Sequence, residues 1–302
     1  MSERQIIPHH IAPSAWTDLA RADPVRHDER KVTTILLHAI GITPELRAHL
    51  VPKGGILMSI AHGSSRQTGD VDFTAIASPQ PYASRLKHIL DQALPAAAAE
   101  MGFFDLALAV QRFEYRPRQE GFATFNAPAL FATIGYARRG STDETRLKER
   151  SSTRVLEMDI SFHEQVIHSR HLQLENTEVT IQAYDIEDII AEKFRALLQQ
   201  NVRAHAGVRR QDIYDIDWLP ARYAPDADMS AAILSTLLIK AESRNLIPSR
   251  DSIENPEVVR LAAREWTSMQ IEVCKYLPTF EAAFARVAAF YRHLPWSDDR
   301  LE

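Results

Sequence analysis

The 302-residue sequence predicts an α/β (α+β) protein, a mixed sheet with flanking helices followed by a helical C-terminal lobe. Two observations carry that expectation. Between Leu106 and Tyr184 short runs alternate apolar and polar residues, the period of half-buried strands; from Asp185 onward apolar residues recur at helical spacing. No repeat, low-complexity segment or long Gly/Ser linker intervenes, so residues 1–182 and 183–302 are expected to form two closely packed lobes.

In chain order, the first expected element is a helix around Arg30 to Ile40. A short strand near His49 to Lys53 follows, running through Gly54-Gly55 into a helix that ends about Ala61. A strand starting at Asp70, a helix from Tyr82 to Met101 and strands near Leu106–Tyr115, Ala123–Tyr136, Arg154–Phe162 and Thr177–Tyr184 complete the first lobe. Asp185 is a good helix N-cap with Asp188 three positions on, and Asn255-Pro256-Glu257 places Pro at the first position of another helix. Val258, Ala262, Trp266, Met269 and Val273 would make one apolar stripe on that later helix.

Composition sets bounds. With 45% hydrophobic and 25% charged residues the chain reads as an ordinary soluble globular protein. No apolar run approaches the roughly 20 residues needed to cross a bilayer, and Met1 to His10 lacks the apolar core of a secretory signal. The single cysteine, Cys274, excludes an internal disulfide, fits a reducing cytoplasm and lies in an apolar helical pattern that reads as core. A net charge of -5 argues against a protein that coats nucleic acid nonspecifically.

The stretch with the most chemistry is Gly63-Ser64-Ser65-Arg66-Gln67-Thr68-Gly69-Asp70-Val71-Asp72-Phe73, a polar turn entering a strand. Alternate strand residues share a face, so Asp70 and Asp72 point together while Val71 and Phe73 pack behind them. Two such carboxylates can hold magnesium ions that also bind phosphates. The turn offers backbone N–H groups and the hydroxyls of Ser64, Ser65 and Thr68 as phosphate donors. An ordinary surface turn entering an edge strand would look similar, but Gly54-Gly55 upstream and the Gly63-Ser64 pair favour the metal and triphosphate reading.

From Lys53-Gly54-Gly55 through Phe73 the chain resembles the polymerase-beta-like nucleotidyltransferases, specifically the AbiEii toxin branch, whose short Gly-Ser to Asp-x-Asp spacing it shares. A second block, Ala183 to Leu198 followed by Arg210-Gln211-Asp212-Ile213-Tyr214-Asp215, resembles that branch's C-terminal signature. The resemblance spans roughly residues 50 to 220. It implies a nucleotidyltransferase-like mixed sheet, an NTP substrate and two Mg2+ ions. It further implies a toxin–antitoxin context with a cognate antitoxin protein, and RNA, tRNA above all, as acceptor. Asp70 and Asp72 would hold the metals, and Gly63, Ser64, Ser65, Arg66 and Thr68 would contact the nucleotide, with Ser64 and Arg66 on the phosphates.

On the helix from Asp185, Ile186, Ile189, Ile190, Phe194, Leu197 and Leu198 form an apolar stripe with Lys193 near its centre. An inward ammonium needs a partner, either a carboxylate or a triphosphate. Asp212 and Asp215 share a face with Val208, Ile216 and Leu219 on the next helix, which suggests a polar pocket between the lobes; a structural Lys193–Asp212 bridge gives the same pattern. The resemblance favours function for Lys193 and Asp212 and leaves Asp215 open.

The resemblance further implies a third carboxylate on a later strand. Arg154 to Phe162 alternates so that Glu157, Asp159 and Ser161 share a face, making Asp159 the candidate third catalytic and metal-binding carboxylate and Glu157 the reserve. Between Arg112 and Arg154 nine basic residues stand against five acidic ones, interleaved with Phe113, Tyr115, Phe122, Phe125 and Tyr136. That stretch suits an RNA-contacting surface or, equally, a solvated hairpin with its aromatics turned to the core. His163, His168 and His171 are not spaced as a zinc site, and no Walker loop, Rossmann fingerprint or Gly-x-Ser-x-Gly is present.

These residues and the resemblance together point to a magnesium-dependent nucleotidyltransferase that moves a nucleotide from an NTP to an acceptor hydroxyl, with Asp70, Asp72, Asp159, Lys193 and Asp212 as its candidate catalytic residues. The alternatives are a small-molecule nucleotidyltransferase of the aminoglycoside-modifying kind and a nucleotide-binding regulator without catalysis.

Overall fold

The computed structural model describes residues 8–118, 120–202, 207–273 and 276–297; Cys274 lies outside them. The chain forms two compact units. The first comprises the chain up to Ala61 with Thr68–Gln165 and Ser169–Ala183; the second comprises His62–Gln67, Val166–His168 and the chain from Tyr184 on.

In the first unit the elements run β1 (His9–Ile11), α1 (Pro13–Asp18), α2 (Pro24–Ile42), α3 (Pro44–His49), β2 (Leu50–Lys53), α4 (Gly54–Ile60), β3 (Asp70–Ala75), α5 (Pro79–Glu100), β4 (Leu106–Arg116), β5 (Ala129–Arg138), α6 (Thr142–Lys148), β6 (Val155–Phe162), β7 (Ser169–Leu174) and β8 (Thr180–Tyr184). Five strands make a mixed sheet in the order β2-β3-β6-β5-β4, with β3 and β6 parallel and the other neighbours antiparallel; β1, β7 and β8 make a smaller sheet. The alternation read from the sequence is the burial pattern of β6, where Leu156, Met158, Ile160 and Phe162 are buried and Glu157 is exposed. Helix α2 starts earlier than expected because Asp23 caps it, its carboxylate accepting from the N–H groups of Val25 and Arg26, with Pro24 at the first position.

Strand β5 begins at Ala129 and not near Ala123. Phe122–Thr124 form a short 3-10 turn after the left-handed Gly121, and Pro128, which has no N–H to give a ladder, precedes the first paired residue. The strand expected from Thr177 starts at Thr180. Elements β1, α1, α3, α6 and β7 are short and carry too few periods to stand out in the sequence.

The second unit holds α7 (Ile186–Gln199), α8 (Arg210–Tyr223), α9 (Ala227–Glu242), α10 (Pro256–Ala262) and α11 (Phe280–His293). Asp185 caps α7 through Ile186 N–H, while Asp188, buried, accepts from the N–H groups of Ile167 and His168 at 2.8 and 2.6 Å and pairs with Lys240 at 3.0 Å. The apolar stripe from Val258 to Val273 is buried as expected, but not on one helix. Helix α10 stops at Ala262; Glu265 turns left-handed at φ 57°, and Trp266–Ile271 continue as a 3-10 helix, with the Trp266 indole donating to Pro278 C=O at 2.9 Å. No helix of the described residues is long and apolar enough to cross a membrane.

Candidate functional site

The first unit gathers its acids on one face of the large sheet. Asp70 pairs in register with Glu157, and Asp72 with Asp159, across the parallel β3–β6 ladder, so all four belong to the same face. Val71 and Phe73, on the other face, are fully packed. Burial pushes the Asp159 carboxyl up from its ordinary range; Arg116 opposes that shift, and the Asp70 and Glu157 charges add to it. Arg116 stands 3.3 Å from Asp159 Oδ1 and lies over the Phe131 ring.

Helix α4 approaches this face so closely that only glycine fits at its start. A Cβ on Gly54 would lie 2.3 Å from Asp72 Oδ2, and its φ of +70° already disfavours any L side chain. Beside it, Lys53, in register with Asp72, ion-pairs with Glu164 and donates to Ser161 Oγ at 3.3 Å, while Thr74 donates to Glu164 at 3.1 Å. Two further acids escaped the sequence reading. Glu164 follows the strand without a periodic signal. Glu29, on α2, lies near Gly69 and has its carboxyl pushed up by burial, with a contribution from the Asp70 charge. Among the described residues no three such side chains close into a ready-made metal cage. The donor set nevertheless fits magnesium, which is bound through one or two carboxylates together with substrate phosphates and retained waters.

The second unit holds the other acids and bases of interest. Arg66 donates through Nε to Asp215 Oδ1 at 2.9 Å and through Nη2 to Oδ2 at 2.8 Å. Lys193 lies 2.8 Å from Asp215 Oδ2 and 3.0 Å from Asp212 Oδ1. All four side chains are buried and their charges cancel. Burial alone would raise the Asp215 carboxyl, but Arg66 and Lys193 hold it below the usual carboxylate range. Burial would lower the Lys193 ammonium, and Asp215 with Asp212 reverse that. The inward lysine therefore has carboxylate partners. Asp212 Oδ2 makes no hydrogen bond among the described residues and lies 3.7 Å from Arg209 Nη1.

The turn before β3 is tied within its own surroundings. Gly63 adopts φ +73°; Ser64 Oγ accepts from Arg66 N–H at 3.2 Å; Ser65 Oγ is 3.3 Å from the Tyr214 hydroxyl; and Gln67 N–H donates to Glu272 C=O at 2.8 Å. Thr68 donates to Asp70 Oδ1 at 2.5 Å within the first unit.

The basic stretch is largely neutralised. Arg112 pairs with Glu114, Arg116 with Asp159, Arg138 and Arg154 with the buried Asp28, Arg146 with Asp143, Lys148 with Glu144 and Arg150 with Asp91. Arg118 and Arg139 form no ion pair among the described residues. Phe122 and Tyr136 are buried, and Phe125 is exposed. His163 is left-handed just past β6, His171 sits in β7, and His168 uses its N–H on Asp188, so the three histidines form no cluster.

A mixed sheet that pairs an Asp-x-Asp strand with an acidic parallel neighbour, behind a Gly-Ser turn, defines a protein of the nucleotidyltransferase class. A family signature, the nucleotidyl transferase AbiEii toxin of type IV toxin–antitoxin systems, matches residues 36–286. The chain belongs to that family and is a nucleotidyltransferase toxin of a type IV toxin–antitoxin system. It is similar in fold to MenT4, a nucleotidyltransferase toxin from Mycobacterium tuberculosis, at a TM-score of 0.57 and 16% identity over 95% of this chain and 90% of that one. A structure from H. pylori, provisionally assigned as a nucleotidyltransferase, aligns over 88% of this chain and 92% of its own at 13% identity and a TM-score of 0.46. No curated protein sequence matches significantly.

Proposed function

We propose that this chain transfers a nucleotide from an NTP to a hydroxyl of RNA, with tRNA the favoured acceptor, in a magnesium-dependent reaction in the cytoplasm, and that a cognate antitoxin protein restrains it. The observation that carries this reading is the register of Asp70 and Asp72 against Glu157 and Asp159, which puts four acids on one face. Asp70 and Asp72 would hold the metal, with Asp159 as third carboxylate once Arg116 releases it. The metal, when bound, would supply charge stabilisation at the phosphates. Gly54 supports this role for Asp72, because a bare backbone there leaves the carboxylate its place.

The remaining roles rest on the family resemblance. Gly63, Ser64, Ser65, Arg66 and Thr68 precede Asp70 in the chain and would contact the triphosphate through backbone N–H groups and hydroxyls. Lys193 and Asp212 would complete the site. Lys193 would also act through Asp215, which it shares with Arg66.

The test is incubation of the purified chain with each labelled NTP, magnesium and total RNA. Labelled RNA with the wild type and none with Asp70→Asn is the expected outcome. Label in a small-molecule acceptor would move the reading to that substrate class, and nucleotide binding without turnover would make the chain a regulator.

A further inference from the structure

The acids of the large sheet share their face with a buried cation. Lys53 closes β2 in register with Asp72, and Asp72 is in register with Asp159, so an ammonium and two carboxylates stand in one row across three strands. Lys53 is only 8% exposed. An ammonium at that depth takes a carboxylate partner, and the register offers it the very acids that a metal would use.

The side chain of Lys53 reaches one row further along the face. Thr74 and Ser161, partners in the β3–β6 register, lie two residues beyond Asp72 and Asp159. Lys53 donates to Ser161 Oγ at 3.3 Å and ion-pairs with Glu164, just past the end of β6. Glu164 is nearly as buried, and the oxygen that takes the lysine, Oε2, also accepts from the Thr74 hydroxyl at 3.1 Å. The lysine charge still reaches the acids. Burial raises the Asp159 carboxyl, and Arg116 and Lys53 are the cations that act against that rise.

From the shared row and the pair fixed by Thr74, we propose that Glu164 is a positioning residue for the metal site: it anchors Lys53 at the Thr74–Ser161 row and so leaves Asp72 and Asp159 open to a divalent cation. This rests on the assignment of the metal to Asp70, Asp72 and Asp159. Without Glu164 the buried ammonium turns to the next acids on the face, competes with the cation for their oxygens and weakens its binding. Glu164 thus acts through Lys53, and its effect vanishes when the lysine charge is absent.

The full chain is titrated with Mn2+, read by loss of the free-ion EPR signal, and the Mg2+ requirement of nucleotide transfer is measured on the same samples. Glu164→Gln should weaken Mn2+ binding about tenfold and raise the Mg2+ concentration for half-maximal transfer by a similar factor. Glu164→Asp, which keeps a carboxylate, should recover most of that loss. In the Lys53→Met background, Glu164→Gln should change Mn2+ binding by less than about twofold, since two residues that act as a pair are not additive. Thr74→Val keeps both charges and loosens Glu164, so it carries the test if Glu164→Gln does not fold; it should weaken Mn2+ binding in the same direction.

A lowered melting temperature with wild-type Mn2+ affinity in Glu164→Gln, or in Thr74→Val where that variant stands in, would make the pair structural and overturn the proposal. An equal loss with and without the lysine would overturn it too, because Glu164 would then act by its charge alone. Asp70→Asn separates the two readings. Mn2+ binding that Asp70→Asn leaves unchanged removes the metal assignment and this proposal with it, whereas a loss in Asp70→Asn with none in Glu164→Gln leaves the metal assignment standing and removes the proposal.

Discussion

Arg66 grips the fully buried Asp215 carboxylate with two parallel hydrogen bonds, 2.9 Å from Nε and 2.8 Å from Nη2. The residues are far apart in the chain, so this pair ties the Gly63–Gln67 turn to α8. Lys193 holds the same carboxylate from α7. Three elements are thus fastened at one buried acid, and the turn they hold runs straight on in sequence to Asp70.

Replacing Arg66 by Lys keeps the charge and loses the planar fork. A lysine ammonium cannot reproduce two parallel bonds, and breaking a buried pair costs several kcal/mol. Arg66→Lys should therefore lower stability by about 2–3 kcal/mol, and Asp215→Asn by about 3–5 kcal/mol. Urea unfolding of both variants measures this. A loss below about 1 kcal/mol in each would place the pair with weak surface bridges.

The pH dependence of Asp215 has a definite sign. Its native carboxyl is held below the ordinary range, so on acidification the unfolded chain takes up the proton first. The stabilisation is complete above the unfolded carboxylate value of about 3.9 and is lost as pH falls through the lower native value. The stability gap between wild type and Asp215→Asn should therefore be constant near neutrality and shrink only in the acid range. A gap that widens on acidification would mean that Asp215 is neutral in the fold.

Asp70 and Asp72 support little of the core. Asp70 is exposed and Asp72 half-buried, whereas Val71 and Phe73 carry the packing of β3. Asp70→Asn and Asp72→Asn should abolish nucleotide transfer and leave the melting temperature within a few degrees of wild type. Gly54→Ala should do more harm to the fold, since the new methyl meets Asp72 Oδ2 at a left-handed backbone. Transfer assays and thermal melts on the same samples separate the two effects; full activity in either Asn variant would remove the metal assignment.

Legibility in the sequence followed the length of each periodic run. The 22-residue α5 and the 11-residue β4 are close to their expected spans, while the 3-residue β1 and 6-residue α1 and α3 gave no signal. The shared face of Glu157 and Asp159 was readable from alternation alone; their pairing with Asp70 and Asp72 was not, because register is a property of two strands. The inward aim of Lys193, Asp212 and Asp215 was likewise legible from helical geometry. That Arg66 would join them could not be read, since no local period links a turn to a helix far along the chain. The single long helix expected after Asn255 failed for a different reason. Its apolar stripe is real, but a left-handed Glu265 breaks the backbone beneath it, and periodicity reports burial without reporting continuity.

The basic stretch from Arg112 to Arg154 gives the last prediction. Most of its cations pair with acids of this chain, and Arg138 pairs with the buried Asp28, so charge reversal there would put an anion beside a buried carboxylate and disturb the fold. Arg118 and Arg139 are exposed and form no ion pair among the described residues, which makes them the cations free to meet RNA phosphates. Each phosphate contact releases counterions, so such contacts weaken as salt rises. The double substitution Arg118→Glu with Arg139→Glu should therefore raise KM for RNA, flatten its salt dependence by about one unit of log–log slope per lost contact, and leave KM for the NTP unchanged. Steady-state kinetics across a salt series measures all three. An RNA KM and salt slope equal to wild type would take this surface out of acceptor binding.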